Sequence, residues 1–263
     1  MKLFYRKYGQ GPPLIIVHGL YGSSDNWVSI ARKLAKNFEV YLIDQRNHGK
    51  SPHSADHNYD LLKEDLREFM DNQSIEKAII IGHSMGGKTA MFFAVDYPER
   101  ISHLIVADIS PRSYEETNSE QQLVHAKIIH AMYNLDFYGI ENRDEIDDIL
   151  AKDIPDDRVR QFLLKNVKRS KDNEYSWIIN IKTIRNELKN ILIGLNENQK
   201  EIVGFPVLFL KGEKSDYIVE KDFKLISRIF PYADIETIPD SGHWLHAEQP
   251  ELFLNKIEYF ILQ

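Results

Sequence analysis

The sequence predicts an α/β fold with a mostly parallel sheet, helices on both faces and one inserted helical cap. Three observations carry this. Short, continuously apolar runs such as Leu14-Ile15-Ile16-Val17 and Ala78-Ile79-Ile80-Ile81 have the pattern of strands covered on both faces. Amphipathic stretches stand between such runs, so strand and helix alternate, the order that builds a parallel sheet. From Pro111 to Val203 the strand-like runs stop and apolar residues recur at helical spacing, over a stretch too long for a loop. The predicted division is a core of residues 1–110 and 204–263 around a cap of residues 111–203.

Bulk properties agree. A chain of 263 residues suits one large α/β domain with an insertion. With 43% hydrophobic and 28% charged residues, a packed core is expected rather than disorder. No apolar run approaches the roughly 18 residues of a membrane span. The first residues, Met1 to Arg6, alternate like a strand and lack the long apolar region of a secretory signal. The absence of cysteine excludes disulfides, thiolate metal sites and a cysteine nucleophile, and fits a cytoplasmic location. A net charge of -7 argues against nonspecific binding to nucleic acid.

In chain order, the strand at Leu14 to Val17 ends in the loop His18-Gly19-Leu20-Tyr21-Gly22. Asp25 is expected to cap a helix whose Trp27, Ile30, Ala31 and Leu34 face the sheet. Val40 to Ile43 is the next strand, followed by the polar loop Asp44 to Ser51, which buried hydrogen bonds are expected to fix. Tyr59, Leu62, Leu66, Phe69 and Met70 form the apolar stripe of another helix. Ala78 to Ile81 reads as a strand, runs into Gly82-His83-Ser84-Met85-Gly86, and passes at once into a helix at Lys88 to Ala94. Ile101 to Ala107 is a further strand ending at Asp108. In the insertion, Leu123, Ile128, Met132 and Leu135, and again Trp177, Ile181, Ile184 and Leu188, are spaced for helices. An insertion that leaves from a strand's carboxyl end should cover whatever lies there and shape access to it. Phe205 to Leu210 resumes the strands, followed by Lys211 to Tyr217, a helix around Phe223 to Phe230, a strand at Ile235 to Ile238 and a closing helix from Glu248 to Leu262. Ser241-Gly242-His243-Trp244 lies between these last two.

The chemistry concentrates at strand ends. Gly82-x-Ser84-x-Gly86 between strand and helix is the context of a nucleophile elbow, in which a sharp turn lifts the serine hydroxyl over the sheet end. The same letters from Gly82 to Thr89 spell G-x-x-x-x-G-K-T, a formal phosphate-binding loop, and a purely structural glycine turn is the third reading. An elbow makes the Met85 amide, at the start of the helix, an oxyanion donor, and the Leu20 amide in the loop after the early strand is the expected second. Serine needs a base to take its proton, a role that imidazole fills near neutral pH. His243, in a glycine-flanked turn after a late strand, fits it, with a carboxylate to hold the ring. His18 and His48 are expected to order loops, and so is His83, which is also a candidate substrate contact beside Tyr21 and Trp244.

Taken together, His18-Gly19-Leu20-Tyr21-Gly22-Ser23, Asp44 to Ser51, Gly82-His83-Ser84-Met85-Gly86-Gly87-Lys88, Asp108-Ile109-Ser110-Pro111 and Gly242-His243-Trp244-Leu245-His246-Ala247-Glu248 span nearly the whole chain in one order. In these segments the chain resembles the α/β-hydrolase superfamily and, within it, the capped bacterial acyl esterases of the YbfF type. The resemblance implies an α/β-hydrolase fold with a helical cap and a Ser-His-Asp esterase or thioesterase with no cofactor and no metal. Many α/β hydrolases carry the acid in a Gly-x-x-Asp loop after the strand that follows the cap. Here Gly212-Glu213-Lys214-Ser215 puts serine there, with Asp216 one residue later. The YbfF type is similar in this respect, and its acid maps onto Asp108, leaving Asp216 as the alternative.

The expected function is therefore hydrolysis of a small-molecule acyl ester or thioester by a monomer or homodimer. C–C bond hydrolysis, a lyase or a perhydrolase with the same residues is the second enzyme reading, since this kind of fold hosts many chemistries. A ligand receptor that retains the pocket without turnover is the alternative of another class. Tyr133, Phe137 and Trp177 are further aromatics that can line an acyl pocket or pack within the cap.

Overall fold

The structure, a computed structural model, describes residues 1–115, 119–196 and 198–262. Residues 116–118 and 197 of the predicted insertion and residue 263 therefore lie outside the description. Seven strands form one sheet in the order β1 (Tyr5–Tyr8), β3 (Glu39–Ile43), β2 (Pro13–Val17), β4 (Ala78–His83), β5 (Ile101–Ala107), β8 (Val207–Gly212) and β9 (Ala233–Ile238). Only β1 is antiparallel to its neighbour; the other pairs are parallel. The Ile and Val side chains of β2, β4 and β5 alternate between two buried layers, which is why these strands read as unbroken apolar runs. Helices α1 (Val28–Leu34) and α11 (Pro250–Ile261) cover one face of the sheet. The other is covered by α2 (Tyr59–Asn72), α3 (Met85–Asp96) and α9 (Phe223–Ile229).

Between β5 and β8 the chain leaves the sheet for α4 (Glu120–Asn134), α5 (Arg143–Ala151), α6 (Asp157–Leu164), the strands β6 (Val167–Arg169) and β7 (Tyr175–Trp177), α7 (Ile181–Asn186) and α8 (Leu188–Leu192). Their apolar side chains form a third cluster that includes Leu20, Tyr21, Tyr59, Leu62 and Met85, so the inserted segment packs over the carboxyl ends of β2 and β4. Polar contacts fix it there. The Tyr59 hydroxyl donates to the Ile191 carbonyl at 2.6 Å, and the Asn180 amide nitrogen donates to the Asn47 carbonyl at 2.9 Å. No helix among the described residues is long and apolar enough to cross a membrane.

Several local expectations shift. The first strand begins at Tyr5 rather than Met1, because pairing with β3 runs from Tyr5 opposite Ile43 to Tyr8 opposite Val40. Ser23, not Asp25, stands at the cap position before Ser24–Trp27, a turn of 3-10 helix leading into α1, and Asp25 instead pairs with Arg6. Strand structure does not vanish from the insertion, since β6 and β7 pair antiparallel. Trp177 belongs to that hairpin, and the helix of its supposed stripe starts at Ile181, after Asn180, whose side chain accepts from the Thr183 amide. The closing helix α11 starts at Pro250 rather than Glu248, which instead ends the short α10 (Leu245–Glu248); between them Gln249, before a proline, leaves the helical region at φ −132° and ψ 60°.

Candidate active site

Ser84 occupies the one residue between β4 and α3, at φ 52° and ψ −121°, a left-handed conformation that L-residues avoid unless their surroundings impose it. Two glycines allow it. A β-carbon on Gly82 would lie 2.4 Å from the Gly86 carbonyl oxygen, and one on Gly86 would lie 2.1 Å from that of Val17. A turn this tight is an elbow, and leaves no wide cradle of amides for a phosphate. The Ser84 amide donates to the Ala107 carbonyl at 3.0 Å, which ties the elbow to β5.

Ser84 Oγ lies 3.0 Å from His243 Nε2, and His243 Nδ1 lies 2.8 Å from Asp108 Oδ2. These three follow β4, β9 and β5 and meet only because the parallel sheet brings their carboxyl ends side by side. The Asp108 carboxylate is fully buried and accepts two more hydrogen bonds, from the Gly212 amide at 2.9 Å and from the Ser215 hydroxyl. Ser215, at the position where a Gly-x-x-Asp loop would carry its acid, thus donates to the carboxylate on the neighbouring strand. Asp216 is exposed; its carbonyl accepts from Arg112 and Gln121, and its carboxylate makes no hydrogen bond among the described residues.

The Leu20 and Met85 amides donate no hydrogen bond among the described residues. Met85 is the first residue of α3, where an amide lacks an intrahelical acceptor. The Leu20 loop is held by the Gly22 amide, which donates to the Gly19 carbonyl at 3.0 Å, and by Asn166 Nδ2, which donates to the Tyr21 carbonyl at 2.7 Å. Beneath it, His18 Nε2 accepts from the Gln45 amide at 3.0 Å, so its Nδ1–H donates to the Gly19 carbonyl at 2.8 Å. Burial lowers the His18 pKa, consistent with this neutral tautomer.

A cavity of about 170 Å³ opens over Ser84 and His243, with Leu20, Tyr21, His83 and Trp244 in its wall. Phe162 and Leu163 of α6 and Val124 and His125 of α4 line it from the inserted segment. His83 Nε2 donates to the His243 carbonyl at 2.7 Å, and burial keeps its ring well below the usual histidine range, so it both orders the His243 turn and faces the cavity. Tyr133, Phe137 and Trp177 do not line it: Tyr133 is partly exposed, and Phe137 and Trp177 pack edge to face, with Trp177 Nε1 donating to the Met132 carbonyl at 2.8 Å.

Two residues gave no signal in the sequence. The Tyr217 ring stacks on His243 with centroids 3.9 Å apart and planes 20° apart. His125 bridges the Tyr217 hydroxyl, 3.0 Å from Nε2, and the Tyr21 hydroxyl, 3.3 Å from Nδ1; burial lowers its pKa to about 4. A histidine on an insertion helix has no motif to announce it. Glu248, by contrast, lies in the recognised Gly242-to-Glu248 segment, and its carboxylate accepts from the Gly242 and Trp244 amides at 3.0 and 3.3 Å, bracing the turn that presents His243.

Residues 12–250 match the family described as the alpha/beta hydrolase fold. The chain is 41% identical over 259 residues to the sn-1-specific diacylglycerol lipase ABHD11 of Danio rerio, spanning 96% of this chain and 79% of that protein. It is 32% identical over 251 residues to esterase YbfF of Escherichia coli, spanning 95% and 92% respectively. Among solved structures, a marine microorganism esterase superposes with a TM-score of 0.95 at 50% identity, covering 98% of this chain and 99% of that one.

Proposed function

The chain belongs to the α/β-hydrolase fold family, and on that footing we propose that it is an ester hydrolase that cleaves carboxylic esters or acyl thioesters through an acyl-enzyme on Ser84. The observation that carries this reading is the unbroken run of contacts from Ser84 Oγ through His243 to Asp108, at 3.0 and 2.8 Å, beside two unengaged amides. His243 Nε2 takes the hydroxyl proton as Ser84 Oγ attacks the acyl carbonyl. The carbonyl oxygen becomes an oxyanion between the Leu20 and Met85 amides, at the positive end of α3. As the carbon–oxygen or carbon–sulfur bond breaks, His243 returns the proton to the leaving alcohol or thiol. Water then gives a proton to His243 and attacks the acyl-enzyme, and Ser84 recovers its proton as the acid departs. Asp108 holds the ring with Nδ1 protonated and stabilises the imidazolium formed in each half-reaction. The inserted segment acts as a cap, its Val124, Ile128 and Phe162 forming the apolar wall against which the acyl or alcohol chain lies. A chain without cysteine suits a reducing compartment, the cytoplasm.

The test is hydrolysis of p-nitrophenyl esters of increasing acyl length, with mass spectrometry after a fluorophosphonate probe. Turnover, an adduct on Ser84 and a fall on the order of 10⁶-fold in Ser84→Ala are expected, since such a triad acts as a unit. Near-native turnover in that variant would refute the mechanism.

A further inference from the structure

Lys88 stands apart from the apolar core around it. It lies one helical turn beyond Ser84 on α3 and is 1% exposed. Burial holds its amine well below the usual lysine range. Its Nζ donates to the Arg112 carbonyl and lies 5.1 Å from the centre of the Tyr114 ring. That is the one hydrogen bond its Nζ makes among the described residues. An amine with one acceptor keeps the capacity to donate to another.

The space beside it suggests what that other is. A second, small cavity of about 20 Å³ has Ser84, Met85 and Leu20 in its wall together with Lys88, Ile109 and Ile191. Ser84 thus faces two cavities: a larger one walled by apolar cap residues, and a small one that Lys88 also lines. At that size it suits a short arm and not a long chain.

Resting on the acyl-enzyme reading above, we infer that Lys88 is a specificity-determining residue, binding a short acyl arm that ends in an oxygen acceptor, a keto oxygen or a carboxylate. The long or apolar part of the substrate then belongs to the leaving group in the larger cavity. A competing account is that Lys88 only pins the Arg112 carbonyl where β5 gives way to the insertion. That role would not distinguish between substrates.

The experiment compares kcat/KM for three phenyl esters of similar length, pentanoyl, 4-oxopentanoyl and hemisuccinyl, each corrected for its uncatalysed rate. The native enzyme should favour at least one oxygenated ester over pentanoyl by about tenfold or more, and which one it favours tells a keto oxygen from a carboxylate. Lys88→Met, similar in length but without a donor, should lower that ratio by about tenfold, and Lys88→Gln, which restores a donor, should recover part of it. An unchanged ratio in a Lys88→Met enzyme whose Ser84 still takes the fluorophosphonate probe overturns the inference. So does a native preference for pentanoyl, which decides the matter if neither variant folds. Failure of every ester, with no adduct on Ser84, sinks the hydrolase reading and this one together; turnover without the expected ranking sinks this one alone.

Discussion

At His243 the choice between two carboxylates comes down to reach and to burial. Asp108 sits at φ 49°, another left-handed residue, which turns its side chain back across the end of β8 toward the imidazole. Three donors surround it, more than the single acceptor oxygen of an amide in its place could serve. Asp108→Asn should therefore cost on the order of 10⁴ in kcat, because the amide presents a donor or a weaker acceptor to Nδ1 and the wrong tautomer results. Asp216→Asn should stay within about twofold, as expected of a surface residue. Steady-state kinetics on the two variants decides this, and a large loss in Asp216→Asn alone would move the acid to that loop. The sequence left both residues open because each follows a strand at the same sheet end. Which side chain points at the histidine depends on backbone angles that no spacing rule specifies.

The elbow is the element whose geometry was most legible, since Gly-x-Ser-x-Gly between a strand and a helix names both the turn and the residues that must lack a β-carbon. Gly86→Ala would drive a methyl group to 2.1 Å from the Val17 carbonyl oxygen, a contact that only a shift of β2 against α3 can relieve. The expected cost exceeds about 4 kcal/mol, at the extreme of single substitutions, and urea denaturation of the purified variant measures it. A variant within about 1 kcal/mol of native would mean that the two elements are free to separate. Elsewhere, legibility follows length. The strands and long helices of the core were located with ends a few residues off, as at β8, which starts at Val207 rather than Phe205, whereas the hairpin of β6 and β7 was missed. Two strands of three residues each are too short for a period of two to register, and only their pairing, with Val167 opposite Trp177, makes them strands.

For the whole molecule, the notable electrostatic feature is a set of histidines enclosed without charge where the inserted segment meets the core. Burial pushes His57 and His246 down to about 3 and His125 down to about 4. The unfolded chain binds protons near the ordinary histidine pKa of about 6.5, and the folded chain does not until much lower pH. The unfolded state therefore gains protons first as pH falls, and stability present above pH 6.5 declines toward pH 3. Each group contributes up to about 1.4 kcal/mol per pH unit in that window. Urea midpoints should fall between pH 7 and pH 5, and His246→Phe, which keeps a ring beside Trp27, should lessen the dependence; a flat profile would refute the assignment. By itself the sequence determined the order of strands and helices in the core, where that order is interrupted, the elbow motif at Ser84 and the family, because period, glycine placement and motif order are properties of the chain read along its length. Tertiary structure alone decided that Asp108 and not Asp216 touches His243, that Ser215 serves that carboxylate, that Tyr217 and His125 pack at the site, and that Lys88 and Ser84 line one small cavity. Those are contacts between residues far apart in the chain, fixed by side-chain direction and by where the insertion comes to rest, and neither is encoded in any local pattern.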